Sequence, residues 1–204
     1  MKTVSSIADT GSFMNSYFKL ESNNYINYGI KKAPKLGEQS VMAGQVIEQS
    51  KLPPLVYEHN FPGNEPLPHF FTGGTVLASQ TLLNVLDSVG VDNYQAFPAL
   101  LINPETNDKR EDYYLFNVIG FVQAADLQKS DYDELMPQNS GGIGMPLAAF
   151  RDLVIDSKRT QDLDMFRLAE EPISIIVSNN IVDNLKRYKP REGWGIVIEQ
   201  VYVA

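Results

Sequence analysis

The sequence predicts an α+β fold: a mixed, mostly antiparallel sheet with a few helices packed on it, plus a smaller β-rich N-terminal part. The first observation is an apolar and aromatic run over residues 113–122, which is typical of a strand buried on both faces. The second is a pair of short amphipathic segments that each follow a serine. The third is a proline-rich segment over residues 58–68, the best candidate for a linker. We therefore expect two parts packed together, residues 1–67 and residues 68–204.

Short strand-like segments fill the N-terminal part. Apolar residues alternate loosely over residues 14–28, with Asn23-Asn24 placed as a hairpin turn would be. Residues 41–47 and 55–57 are predicted strands, and the two prolines between them break any helix there. This pattern predicts a small β-rich unit.

Two helices are predicted, each beginning after a serine N-cap. Ser79 precedes three leucines at helical spacing, and Gly90 marks the end of that helix. Ser178 precedes the second helix, and an aromatic-led strand follows each helix. The two serines stand 99 residues apart, which suggests an internal duplication. We favour convergence, because capped amphipathic helices arise easily.

The remaining C-terminal segments alternate between strands and loops. Pro98 lies inside a predicted strand, where its missing N–H favours a sheet edge or a bulge. Residues 131–145 are acidic and then glycine-rich, which predicts a long surface loop. The predicted strands here are 94–102, 150–155, 173–177 and 194–203.

Composition narrows the classes of function. The absence of cysteine excludes disulfides, thiolate zinc sites and cysteine nucleophiles. The first residues lack the apolar region of a signal peptide, and no apolar run is long enough for a membrane helix, so we expect a cytoplasmic protein without a membrane partner. The net charge of −8 disfavours nucleic acid as a direct partner.

The negative charge is concentrated in one third of the chain. Residues 105–171 hold fourteen acids and seven bases, a net charge of −7. One interpretation is that this charge only keeps the protein soluble. The other is an acidic patch complementary to a basic partner.

No catalytic or metal-binding motif stands out. His59 and His69 have no ligand spacing, and the glycines at Gly73-Gly74 lack the lysine of a phosphate-binding loop, so we expect neither a metal nor a cofactor. Ser79 lies outside any nucleophile motif and is better explained as a helix cap. An enzyme would require a buried carboxylate pair or a serine beside a histidine.

An ordered set of short motifs begins at about Phe70 and continues to the C-terminus. They are residues 73–86, Phe97-Pro98, residues 114–118, Asp126-Leu127, Ser130, residues 165–168, residues 176–178, Leu185 and Trp194-Gly195. In order and spacing this set resembles a family of immunity proteins from bacterial polymorphic toxin systems, long filed as a domain of unknown function. The insertion at residues 131–144 and the absence of a glycine after the second helix depart from that family.

The resemblance implies a non-catalytic, cytoplasmic antitoxin that binds and neutralises a cognate toxin domain, a basic nuclease being one candidate. We expect the acidic segment to contribute to that surface. Its predicted partner-binding residues are Asp126, Asp131, Asp133 and Glu134. The alternative is a small-ligand or peptide-binding module with a pocket near the Gly73-Gly74 turn.

Overall fold

The computed structural model describes residues 16–23, 27–63, 65–136 and 147–204, and strands outnumber helices among them. The strands are β1 (Tyr17–Ser22), β2 (Ile30–Lys32), β3 (Val56–His59), β4 (Phe70–Phe71), β5 (Leu77–Ser79), β6 (Tyr94–Ile102), β7 (Lys109–Val118), β8 (Phe121–Val122), β9 (Asp131–Met136), β10 (Leu147–Asp152), β11 (Val154–Ile155), β12 (Met165–Leu168), β13 (Ile175–Ser178), β14 (Ile196–Gln200) and β15 (Tyr202–Val203). The helices are α1 (Gln80–Ser88) and α2 (Asn179–Arg187), with 3-10 turns at Gln49–Lys51 and Ser157–Arg159.

Two large sheets form the body of the protein. One has the order β2-β3-β6-β7-β5-β4 and the other the order β14-β1-β13-β12-β8. Each contains one parallel pair, β3–β6 and β12–β8, and is otherwise antiparallel. The predicted mixed, mostly antiparallel α+β fold is therefore confirmed in class. The strands are divided between sheets, and helices contribute less than expected.

Strand β7 is central to its sheet, as the apolar run predicted. It lies between β6 and β5, and Leu115, Phe116 and Val118 are fully buried. The run is not one strand, however. Gly120 has φ of +86°, a conformation that glycine adopts without strain, and the chain turns there into β8 of the other sheet.

Both helices pack into the main core, which contains residues from both large sheets. On β13, Ile175 and Val177 point into this core, whereas Ile176 points into a second, smaller cluster. Because side chains alternate along a strand, the five-stranded sheet separates the two clusters. The helices lie on one face of that sheet and the second cluster on the other.

The prediction of a loop over residues 131–145 is wrong for residues 131–136. Residues Asp131–Met136 form β9 and pair with β10 in an antiparallel two-stranded sheet. The acidic sequence hides this strand because its stability depends on partners on β10 rather than on an apolar period of its own. Residues 137–146, and Asn24 of the predicted Asn23-Asn24 turn, lie outside the described residues.

Pro98 illustrates how a proline is accommodated inside a sheet. It lies on β6 opposite Tyr114 of β7, next to a register shift between Ala99 and Leu101. On its other side β6 pairs with β3 only from Leu100 onward. The missing N–H therefore leaves no gap in a ladder, and a bulge lies where the sequence predicted an edge or a bulge.

Both large sheets cross the predicted boundary between residues 67 and 68. Strand β1 pairs with β13 and β14, and β3 pairs with β6. Whether residues 1–67 and 68–204 behave as separate folding units stays a prediction.

Candidate partner-binding site

Strands β9 and β10 form what we call the acidic ribbon, residues Asp131–Met136 and Leu147–Asp152. On one face, the rings of Tyr132 and Phe150 pack with their centroids 5.7 Å apart, and Phe150 contacts the second core cluster. Asp131 and Asp133 project from the other face, since side chains alternate along β9. This face is exposed to solvent.

Arg151 binds both aspartates on the exposed face of the ribbon. Its guanidinium donates to both carboxylate oxygens of Asp131, at 2.9 and 2.6 Å, and to Asp133 Oδ2 at 2.5 Å. The hydrogen bonds from Arg151 lower the pKa of Asp131 and raise that of the guanidinium. A register shift between Phe150 and Asp152 leaves Arg151 as the extra residue, on the same face as the two aspartates.

Glu134 and Asp126 have different surroundings. Glu134 is exposed and makes no ion pair with any described residue. The Asp126 carboxylate pairs with Lys129 at 3.1 Å and accepts from the N–H of Gln128, and the bond to Lys129 lowers its pKa. Its backbone carbonyl accepts from the N–H of Ser130 at 2.9 Å. Asp126 thus shapes the turn into β9, and the other three predicted residues lie on the ribbon itself.

The ribbon is attached to the body at Glu170 and Glu171. The N–H of Ala148 donates to the carbonyl of Glu170 at 2.8 Å, and that of Phe150 donates to Glu171 Oε1 at 3.3 Å. Lys19 in turn pairs with Glu171 at 3.0 Å. These contacts fix the ribbon over one face of the five-stranded sheet.

A small cleft of about 120 Å³ separates the ribbon from the C-terminal strands, with Arg151 on one side and Tyr202 on the other. Tyr202 is 65% exposed and Leu135 is 63% exposed, so both offer apolar surface next to the acids. Sequence reasoning missed all three residues. Only the pairing register brings Arg151 to Asp131, twenty positions away.

A second cavity, of about 360 Å³, lies at the glycine turn named in the alternative function. The rings of Tyr28, Phe61 and Phe71 line it together with Gly74 and Thr75. Its volume is within the range of small-molecule sites. Of the two predicted glycines, only Gly74 lines it.

The structure brings a serine beside a histidine. Ser79 Oγ and His69 Nδ1 are 2.7 Å apart, and Glu192 lies 3.6 Å from His69 Nε2, too far for a hydrogen bond. Ser79 is only 1% exposed, and its oxygen also accepts from the N–H of Leu82 as the N-cap of α1. A substrate therefore has no access to the Ser79 oxygen. Together with His69, Ser79 forms a buried helix cap.

Two further ionisable side chains are buried. Burial raises the pKa of Glu170 to about 6 and lowers that of Arg167 to about 10. Arg167 donates to the carbonyl of Pro172, and neither its Nε nor its Nη2 has a hydrogen-bond partner among the described residues. No ion pair joins Arg167 to Glu170, so the two do not form an acid–base couple.

The described residues hold neither a metal-binding cluster nor a membrane-spanning helix. They contain no group of three or more His, Cys, Asp or Glu side chains arranged to hold a metal ion. Across the same residues, neither α-helix has the length and apolar character needed to cross a membrane.

Comparison with known proteins supplies the family. A search of curated proteins found no match to the chain. The model of the Immunity protein family (Imm11) matches residues 14–203, nearly the whole chain and more than the resemblance from Phe70 had indicated. The chain therefore belongs to the Imm11 immunity protein family.

Proposed function

We propose that this protein is a non-catalytic antitoxin that binds a cognate toxin domain in the cytoplasm and neutralises it. The family match over residues 14–203 is the observation that carries the proposal. The burial of Ser79 and the absence of a metal-binding cluster among the described residues leave binding as the activity that the chain best supports.

The acidic ribbon is the surface we propose for toxin binding, together with Asp126 in the turn that leads into β9. Its four carboxylates and one guanidinium give it a net charge of −3. Such a surface attracts a basic partner, and a toxin that acts on nucleic acid has to be basic where it meets phosphates. Exposed Leu135 and Tyr202 would add apolar contact area beside the charges.

Co-expression tests the proposed function. The toxin domain to use is the C-terminal domain encoded by the gene next to this one. We expect this protein to restore growth to cells that express that domain, and the two to co-purify. A toxin that remains lethal and elutes alone would refute the proposal.

Charge reversal tests the proposed surface. Asp131, Asp133 and Glu134 are replaced together by lysine, and association with the toxin domain is measured at low salt. We expect the association rate to fall by about tenfold or more, because electrostatic steering is lost.

The matched control also reverses three exposed acids. It replaces Asp92, Glu111 and Asp183, which lie just after α1, on β7 and on α2. This control changes the net charge by the same amount but lies outside the acidic ribbon. Its association rate should therefore fall much less than that of the ribbon variant. Equal effects of the two triple variants would rule the ribbon out as the binding surface.

A second candidate function rests on the cavity at Gly74. A ligand-binding module would retain a small molecule, which native mass spectrometry of protein purified from its own host would detect. Gly74→Trp should abolish that extra mass, because open space next to Gly74 lets an added side chain enter the cavity. A measured mass equal to that of the polypeptide alone would contradict this second candidate function.

A further inference from the structure

Strand β9 presents an open edge. Among the described residues only β10 pairs with it, so the backbone N–H and C=O groups on its outer side have no partner in that part of the chain. Its pairing with β10 is regular over residues 132–134; one register shift leaves Arg151 as an extra residue opposite its start, and the other leaves Leu135 as an extra residue near its end. An exposed strand edge of this kind is a template for an added strand.

The side chains of β9 define which strand would fit. In an antiparallel pair, residues directly opposite each other have Cβ atoms about 5 Å apart and opposite charges stabilise the pair. Asp131 and Asp133 lie two residues apart on the same face. A matching strand would therefore carry lysine or arginine at two alternating positions and an apolar residue near Leu135.

The carboxylates retain capacity for such contacts. Arg151 occupies both oxygens of Asp131 but only Oδ2 of Asp133. Glu134 makes no ion pair with a described residue. Since each carboxylate oxygen accepts more than one hydrogen bond, Arg151 does not prevent a second cation from binding.

A second copy of this chain fits the edge poorly. If two β9 strands paired in antiparallel fashion over residues 131–136, Asp133 of each copy would face Glu134 of the other. Like charges directly opposite each other destabilise a pair. The charge pattern thus favours a basic partner over self-association.

We propose that the toxin binds by adding one of its strands to the outer edge of β9, with basic side chains at alternating positions facing Asp131 and Asp133. This inference rests on the proposed function and specifies how the complex forms. Backbone hydrogen bonds would supply affinity, and the alternating charges would fix the register.

Hydrogen–deuterium exchange, with and without the toxin domain encoded by the neighbouring gene, tests the mode of binding. Strand addition converts the outward amides of β9 into hydrogen-bonded ones. We expect exchange over residues 131–136 to slow by about tenfold or more in the complex. The control is β2 (Ile30–Lys32), an edge strand of the six-stranded sheet, which should exchange unchanged.

A complex that forms without slower exchange at β9 would overturn strand addition and leave the antitoxin function standing. A wild-type protein that does not bind the toxin domain would remove both.

Exchange on the toxin identifies its side of the pair, and a charge swap completes the test. Glutamate is placed at the alternating basic positions of the protected toxin segment, which should weaken binding at least tenfold. Asp131→Lys combined with Asp133→Lys should restore it. A toxin segment without alternating basic residues, or a swap that restores nothing, would contradict the proposed pairing.

Discussion

The two α-helices have the same length and the same topological setting but end in different ways. Each has nine residues and follows a strand that ends in serine. Strands β5 and β6, which flank α1 in sequence, both pair antiparallel with β7, whereas β13 and β14, which flank α2, both pair with β1. Whether this likeness reflects duplication or the convergence we favour stays a prediction.

Helix α1 is terminated by local contacts. Ser79 Oγ accepts from the N–H of Leu82 at its start. At its end, the N–H groups of Gly90 and Val91 donate to the carbonyls of Asp87 and Leu86. This is a Schellman motif, and Gly90 supplies its left-handed residue with φ of +81°.

Helix α2 is terminated by distant residues. Ser178 donates its hydroxyl to Asp164 and does not cap the helix with its side chain, while the N–H of Asn179 donates to the carbonyl of Ser16. At the other end, Trp194 Nε1 donates to the carbonyl of Leu185 at 2.7 Å. The same sequence pattern is thus stabilised locally in one helix and by tertiary contacts in the other.

Removing Trp194 should have the largest effect. It is buried, supplies the hydrogen bond at the end of α2, and packs edge-on against His69 with centroids 5.1 Å apart. We expect Trp194→Ala to lower the free energy of unfolding by about 3–5 kcal/mol, measured by urea denaturation. Trp194→Phe keeps an aromatic ring and leaves the Leu185 carbonyl without its donor, for a loss of about 1–3 kcal/mol. An unchanged unfolding free energy in Trp194→Phe would show that the indole N–H is irrelevant.

Replacing the two serines sharpens the comparison. Ser79→Ala removes the cap of α1 and leaves His69 Nδ1 buried without its partner, so the unfolding free energy should fall by about 2 kcal/mol. Ser178→Ala removes no side-chain cap and should cost less, about 1 kcal/mol. A larger loss at Ser178 would mean that α2 depends on its serine more than its contacts indicate.

Gly90 tests the local C-terminal motif alone. The site of an added Cβ is free of contacts, so Gly90→Ala should cost only the strain of a left-handed alanine, about 1 kcal/mol in thermal or urea unfolding. Gly74→Ala is the control, because its site is equally open and its φ is not left-handed. The two variants should differ, and identical stabilities would argue against the Schellman geometry.

What the sequence could predict follows the same division between local and tertiary contacts. The start and end of α1 were predicted because Ser79 and Gly90 lie next to the groups they serve. Strand β9 was missed because Arg151, its main charged partner, is brought to it only by pairing. The roles of Tyr202 and Trp194 likewise depend on packing between segments distant in sequence.

His69 contacts residues at the termini of both helices, and replacing it should change the unfolding free energy least. It contacts Ser79 at the start of α1 and Trp194, which serves the end of α2. Burial lowers the pKa of His69 below its ordinary 6.5, and this outweighs the opposing influence of Glu192 and Asp112, with Arg110 acting in the same direction as burial. Because the unfolded chain then binds the proton more readily, His69 contributes its full stability above about pH 6.5 and loses it as the pH falls further.

Comparison with His69→Gln isolates this contribution. His59 acts in the same direction and Glu170, with its raised pKa, in the opposite one, but both are present in either protein. Between pH 7 and pH 5 the unfolding free energy of the wild type should therefore fall more steeply than that of His69→Gln. Parallel curves would mean that His69 takes up its proton equally well in the folded chain, and that the contact between the two helix termini does not depend on its charge.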